Sequence, residues 1–225
     1  MTQTLVALGL LATSHSLLGG SINWGSSFGS VNRQSDGIAA VTSGFTIQLG
    51  TFSLGFTPDG ANVDLWASNW TAFDELLPGE HNAAVGYYTS QKELLNNSVF
   101  RQGDQAYVWM FNAQTAVPGS EWLLYTNDAT DGLAADDWLF PAAPGSQQTM
   151  PLSWRVSNAT RALFGCIDPD GAGAGPDRCG DGYGTPPPGP FNVQTHTFVP
   201  EPGAALLGGL AFLGFAARRR RHQRL

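Results

Sequence analysis

The sequence predicts an all-β fold, a single antiparallel sandwich or jelly-roll-like domain. Three observations carry that expectation. Apolar residues in the middle of the chain recur with period two, long stretches of period 3.6 are missing, and the composition favours strands and turns, with 28 Gly, 14 Pro and 7 Trp against only 13% charged residues. At 225 residues the chain is long enough for one sizeable domain with targeting segments at its ends.

The elements follow in order. Phe45, Ile47 and Leu49 alternate with polar residues, and after Gly50-Thr51 the phase slips to Phe52, Leu54 and Phe56, which predicts a tight turn or a bulge between two strands. Only Phe73 to Leu77 and Gln91 to Asn97 read as helices, each one or two turns long. Gln105 to Phe111 is apolar on both faces and predicts a central strand covered on both sides, with Glu121 to Tyr125 as its neighbour across a loop that ends in Pro118-Gly119. Leu152, Trp154 and Val156 alternate with Ser153 and Arg155, as in a strand with one wet face, and a last strand is expected near Phe191 to Phe198.

Charge is unevenly distributed. The formal net charge is −7, yet five of the eleven basic residues lie between Arg218 and Arg224, so Ser21 to Phe198 holds six basic and seventeen acidic residues, a net of −11. Such a body repels phosphate backbones, which excludes nucleic acid as a partner and favours solubility outside the cell.

Both ends depart from the strand pattern. Leu5 to Ala12 is an apolar run followed by small and polar residues, the shape of a signal peptide over residues 1–20. No Lys or Arg precedes it, and only Ala12-Thr13-Ser14 approaches a small-x-small cleavage site, so a buried first strand or helix is the competing reading. At the other end, Gly203 to Ala217 carries no charge and includes Leu206, Leu207, Leu210, Phe212, Leu213 and Phe215. Fifteen helical residues span about 22 Å against a hydrocarbon core of ~30 Å, a short membrane helix that needs its flanks. Arg218, Arg219, Arg220 and Arg221 can snorkel to the inner headgroups, and the positive-inside rule then puts the main domain on the outer side.

Val199-Pro200-Glu201-Pro202, then the apolar segment, then the arginine cluster resembles the tripartite PEP-CTERM sorting signal of exported bacterial surface proteins. The resemblance implies residues 199–225 as a sorting signal behind a domain at 21–198. It also implies export through the secretory translocon, retention on the outer side of the cytoplasmic membrane, and cleavage near the Pro-Glu-Pro triplet by an exosortase, followed by a cell-surface or extracellular location. Tyr107 with Trp109, Glu121-Trp122, and Asp137 to Pro141 are similar to exported proteins of this kind without an assigned activity. The resemblance supplies an address and no chemistry.

Candidate chemistry is sparse. Gly25-Ser26-Ser27-Phe28-Gly29 fits the nucleophile pattern Gly-x-Ser-x-Gly, and His196 follows later, but a nucleophile elbow requires a strand, a sharp turn and a helix that this stretch does not predict. Cys166 and Cys179, the only cysteines, are expected to form a disulfide in an exported chain, with free thiols or a metal pair as alternatives. Asp168, Asp170 and Asp177 resemble a calcium loop only in part, because position twelve of an EF-hand starting at Asp168 is Cys179; a plain Asp/Gly turn competes with structural calcium, and no other cofactor is implied. Asp128, Asp131, Asp136 and Asp137 form a second acidic stretch with the same ambiguity. His81 and His196 are far apart, and nothing pairs Glu75, Glu80, Glu93 or Glu121 at a glycosidase separation.

The tryptophans are expected in the core, with a sugar-stacking platform as the alternative. Trp66 and Trp70, in an Asn/Ser/Thr-rich stretch, are the candidates for exposed rings. The expected function is therefore a non-enzymatic surface or matrix protein; the alternatives are an exopolysaccharide-binding module and an extracellular hydrolase.

Overall fold

The computed structural model describes residues 20–41, 43–82, 86–94, 99–128, 132–141, 151–171, 178–180 and 190–198. The expected signal peptide, the segment 199–225 and Asp177 lie outside these residues, apart from Gly20. Among the described residues no helix is long and apolar enough to cross a membrane.

The strands in chain order begin with β1 (Ser21–Gly25), β2 (Asn32–Arg33), β3 (Thr46–Phe52), β4 (Trp70–Leu76) and β5 (Thr89–Glu93). They continue with β6 (Tyr107–Phe111), β7 (Glu121–Thr126), β8 (Leu152–Arg155) and β9 (Arg161–Phe164). The last four are β10 (Cys166–Ile167), β11 (Arg178–Cys179), β12 (Val193–Gln194) and β13 (His196–Thr197). One helix, α1 (Trp66–Asn69), follows a 3-10 turn over Gly60–Leu65.

The main sheet runs β13-β7-β6-β3-β4, with β9 also paired to β7. Its two faces are both apolar because period-two alternation sends neighbours in opposite directions. Ile47, Leu49, Val108, Met110, Leu123 and Tyr125 enter one core, while Trp109, Phe111, Trp122 and Leu124 enter the other. The first core is closed by Ile22 and Trp24 of β1 and Trp154 of β8, from the three-stranded sheet β5-β1-β8. The second is closed by Trp66, Leu163 and Phe164.

The all-β class and the central β6 with its neighbour β7 are as expected, and most pairing is antiparallel. Two pairs are parallel, β1 with β8 and β2 with β12. The helix expected over Phe73 to Leu77 is wrong: these residues belong to β4 and the turn after it, where pairing to β3 overrides a locally helical composition. Gln91 to Glu93 is likewise strand, paired to β1, and 95–98 lie outside the described residues.

No turn breaks the chain at Gly50: β3 runs through it, Phe52 faces the second core where Ile47 and Leu49 face the first, and the bulge lies opposite, in β4. Leu49 pairs with Asp74 but Gly50 with Ala72, so Phe73 is the extra residue. Gly50 is required here, since a Cβ would stand 2.3 Å from the Thr71 carbonyl oxygen and 2.6 Å from the Trp70 ring. Cys166 and Cys179 face each other across β10 and β11 and are joined by a disulfide.

Candidate functional site

Trp66, a candidate for an exposed ring, instead joins the core expected of the tryptophans. It is fully buried, stacked on Trp122 at 5.7 Å and edge-on to Trp109 at 6.2 Å. Asp59 caps the turn at Ala61 N and Asn62 closes the capping box, after which the Asn62 side-chain oxygen accepts the Trp66 indole N–H at 2.8 Å. That local chemistry aims the ring inward, and a ring without solvent contact cannot stack on a sugar. Trp70 is half-buried, with its indole donating to Gln48.

The candidate calcium loop is a turn where it is described. Gly171 N donates to the Asp168 carbonyl at 3.0 Å, and Asn192 Nδ2 donates to the same oxygen at 3.2 Å. Asp168 is buried and Asp170 exposed. Among the described residues no three His, Cys, Asp or Glu side chains converge as a metal site. Ser27 is exposed and follows β1, but the next element is β2, so no strand-turn-helix elbow forms. Asp128 of the second acidic stretch pairs with Arg161 at 3.3 Å. Glu75 accepts from Gln48, and Glu80 from the Leu77 amide.

One groove was not foreseen. A cavity of about 540 Å³ is lined by Phe28, Val31, Asn32, Arg33, Asn82 and Tyr87, together with neighbouring backbone. Phe28 is 95% exposed and meets Tyr87 edge-on at 6.2 Å. Asn32 is buried; its Nδ2 donates to the Gly86 carbonyl at 2.6 Å, while its Oδ1 has no hydrogen-bond partner among the described residues. Arg33 Nε is also unpaired, although its Nη1 donates to the Ile38 carbonyl. Neither unpaired atom reaches solvent, so what the groove offers a ligand is the exposed Phe28 ring, the half-buried Tyr87 ring and the exposed Asn82 side chain. The sequence signal was a phenylalanine set among Ser and Gly, where no core could claim it.

The C-terminal junction is the second site. β13 pairs with β7 through His196 opposite Trp122 and Thr197 opposite Glu121. Phe198 N donates to the Ser120 carbonyl at 2.6 Å, and its ring lies 5.8 Å from that of Trp122 at 30°. The Glu121 carboxylate accepts from Thr195 Oγ1 at 2.7 Å and from the Ser35 amide at 3.1 Å. Thr197 Oγ1 then reaches Ser35 Oγ at 2.9 Å. These contacts hold the end of the fold against the β2–β3 connection and the start of β7.

No curated protein and no solved structure matches the chain. Its end does match: residues 198–221 are a PEP-CTERM protein-sorting motif, which begins at Phe198 of this junction and is consistent with an exosortase substrate.

Proposed function

We propose that this protein is a non-enzymatic surface protein. The secretory translocon exports it, the apolar segment 203–217 holds it at the outer face of the cytoplasmic membrane, and Arg218 to Arg221 stay inside. An exosortase then cuts near Pro200-Glu201-Pro202 and releases or transfers the folded body to the surface. The observation that carries this reading is the sorting motif at 198–221, placed immediately after the last strand so that the whole acidic body lies on one side of it. Fractionation of cells with and without their exosortase, with mass spectrometry of the mature C-terminus, tests it. Secreted protein that keeps Arg218 to Leu225 would refute the assignment.

The groove favours a second reading, a saccharide-binding module. Phe28 and Tyr87 offer ring surface, Asn82 an exposed amide group, and Arg33 a cation suited to an acidic sugar. Titration with a polyuronate and a neutral glucan tests it: the polyuronate binds more tightly, and Phe28→Ala weakens it about tenfold, equivalent to ~1.4 kcal/mol. Equal, negligible binding of both polymers removes this reading.

A further inference from the structure

We propose that β13 is a latch on processing: it must peel from β7 before an exosortase can engage the Pro-Glu-Pro motif, so Glu121, Thr195 and Ser35, which hold it down, set the processing rate as positioning residues. The inference rests on the sorting reading of residues 198–221.

There is no spacer between fold and motif. Phe198 is bonded to Ser120 and packed on Trp122, and Val199-Pro200-Glu201 follow it directly. Three residues reach at most about 10 Å however they are arranged. A protease that reads an extended segment by backbone pairing requires free backbone on the upstream side of its cut. Here that upstream backbone is β13, whose inward-facing hydrogen-bonding groups are engaged by β7.

Two features work against extending the ladder beyond Phe198. In an antiparallel ladder every second amide points to the same partner, so after Phe198 N the next amide due to face β7 is that of residue 200. That residue is Pro200, which has no N–H. On the partner side, Ser120 is preceded by the turn in which its amide bonds the Val117 carbonyl, so β7 has no further backbone to offer. The latch is therefore short, and short terminal strands open at far lower cost than the body around them. Its strength is raised by side chains distant in sequence: Glu121 grips Thr195 and the Ser35 amide, and Ser35 grips Thr197.

The test uses the full-length chain in cells that contain their exosortase, following loss of the C-terminal segment in a pulse-chase. Thr195→Val and Glu121→Ala, which loosen the latch outside the motif, are expected to speed processing several-fold. Thr197 and Glu121 face each other at a position flanked by the Phe198-to-Ser120 hydrogen bond, so Thr197→Cys with Glu121→Cys staples β13 to β7. The stapled chain, verified by its mass and by the loss of thiol labelling, is expected to be processed at least tenfold more slowly. A flexible eight-residue Gly/Ser spacer inserted between Phe198 and Val199 of the stapled chain is expected to restore processing, which a merely misfolded body would not allow. Processing of the spacer-free stapled chain at the unmodified rate overturns the latch. If even the unstapled chain with the spacer is never cut, the sorting reading fails and the latch with it.

Discussion

The hydroxyl groups of Tyr88 and Tyr125 meet at 2.6 Å in the first core, on opposite sides of the sandwich. Tyr88 leads into β5 of the smaller sheet, and Tyr125 lies on β7 of the larger one. One phenol donates to the other, so a single contact gives both buried hydroxyls a partner and ties the two layers together.

That pair makes the fold sensitive to alkali. Burial pushes both phenols above their ordinary value of 10, and burial together with the nearby charge of Asp128 pushes Tyr107 up to about 12. The folded state then keeps protons that the unfolded chain gives up. The stability is fully present below about pH 10 and is lost as pH rises toward the folded values. Urea midpoints measured from pH 8 to 11.5 are expected to fall steeply above pH 10, and a Tyr88→Phe, Tyr125→Phe variant to fall less steeply.

Asp74 is a second junction between the layers. Its carboxylate accepts the Trp24 indole at 2.8 Å and the Ser90 hydroxyl at 2.6 Å, and the chain's single lysine, Lys92, stands 3.6 Å away. Asp74→Ala leaves the buried Trp24 N–H without an acceptor and is expected to cost about 2–4 kcal/mol in equilibrium unfolding. Asp74→Asn, which keeps one acceptor, costs less. Lys92 is half-exposed, and Lys92→Ala is expected to cost under about 1 kcal/mol.

The second core separates ring packing from hydrogen bonding. Trp122 donates its indole N–H to the Ala113 carbonyl at 2.6 Å, whereas the Trp109 N–H, equally buried, has no partner among the described residues. Trp122→Phe removes a hydrogen bond that is made and Trp109→Phe removes an unsatisfied donor, so thermal denaturation is expected to show the larger loss for Trp122→Phe. Trp66→Ala, which empties the centre of the cluster, is expected to cost ~3–5 kcal/mol.

The disulfide closes a loop with a sequence separation of 13. In the chain-entropy account this stabilises by about 3 kcal/mol by restricting the unfolded chain. Cys166→Ala with Cys179→Ala is expected to lower the denaturant midpoint accordingly, with little change in circular dichroism.

Much of the main sheet was legible in the sequence. Tyr107 to Phe111 and Glu121 to Tyr125 carry apolar side chains to both faces, and that pattern has few solutions other than adjacent central strands. Phe73 to Leu77 misled because its composition is helical, while its partner in β3 lies more than twenty residues away. Trp66 misled for a related reason: polar neighbours suggested exposure, yet Asn62, four residues earlier, serves as cap and as indole acceptor and turns the ring inward. The spacing Asp59-x-x-Asn62 was the available signal. Of the groove only Phe28, set among Ser and Gly, left a sign, because Arg33 and Tyr87 are joined only by folding.

The sequence by itself determined the sorting motif, the one disulfide its two cysteines could form and the strand character of its centre. Each depends on contiguous residues, on a count or on a period, and none requires a distant partner. Tertiary structure decided the rest. The pair Tyr88 and Tyr125, the grip of Glu121 on Thr195 and the cavity beside Phe28 join residues tens of positions apart, through strand pairings whose register no local pattern encodes.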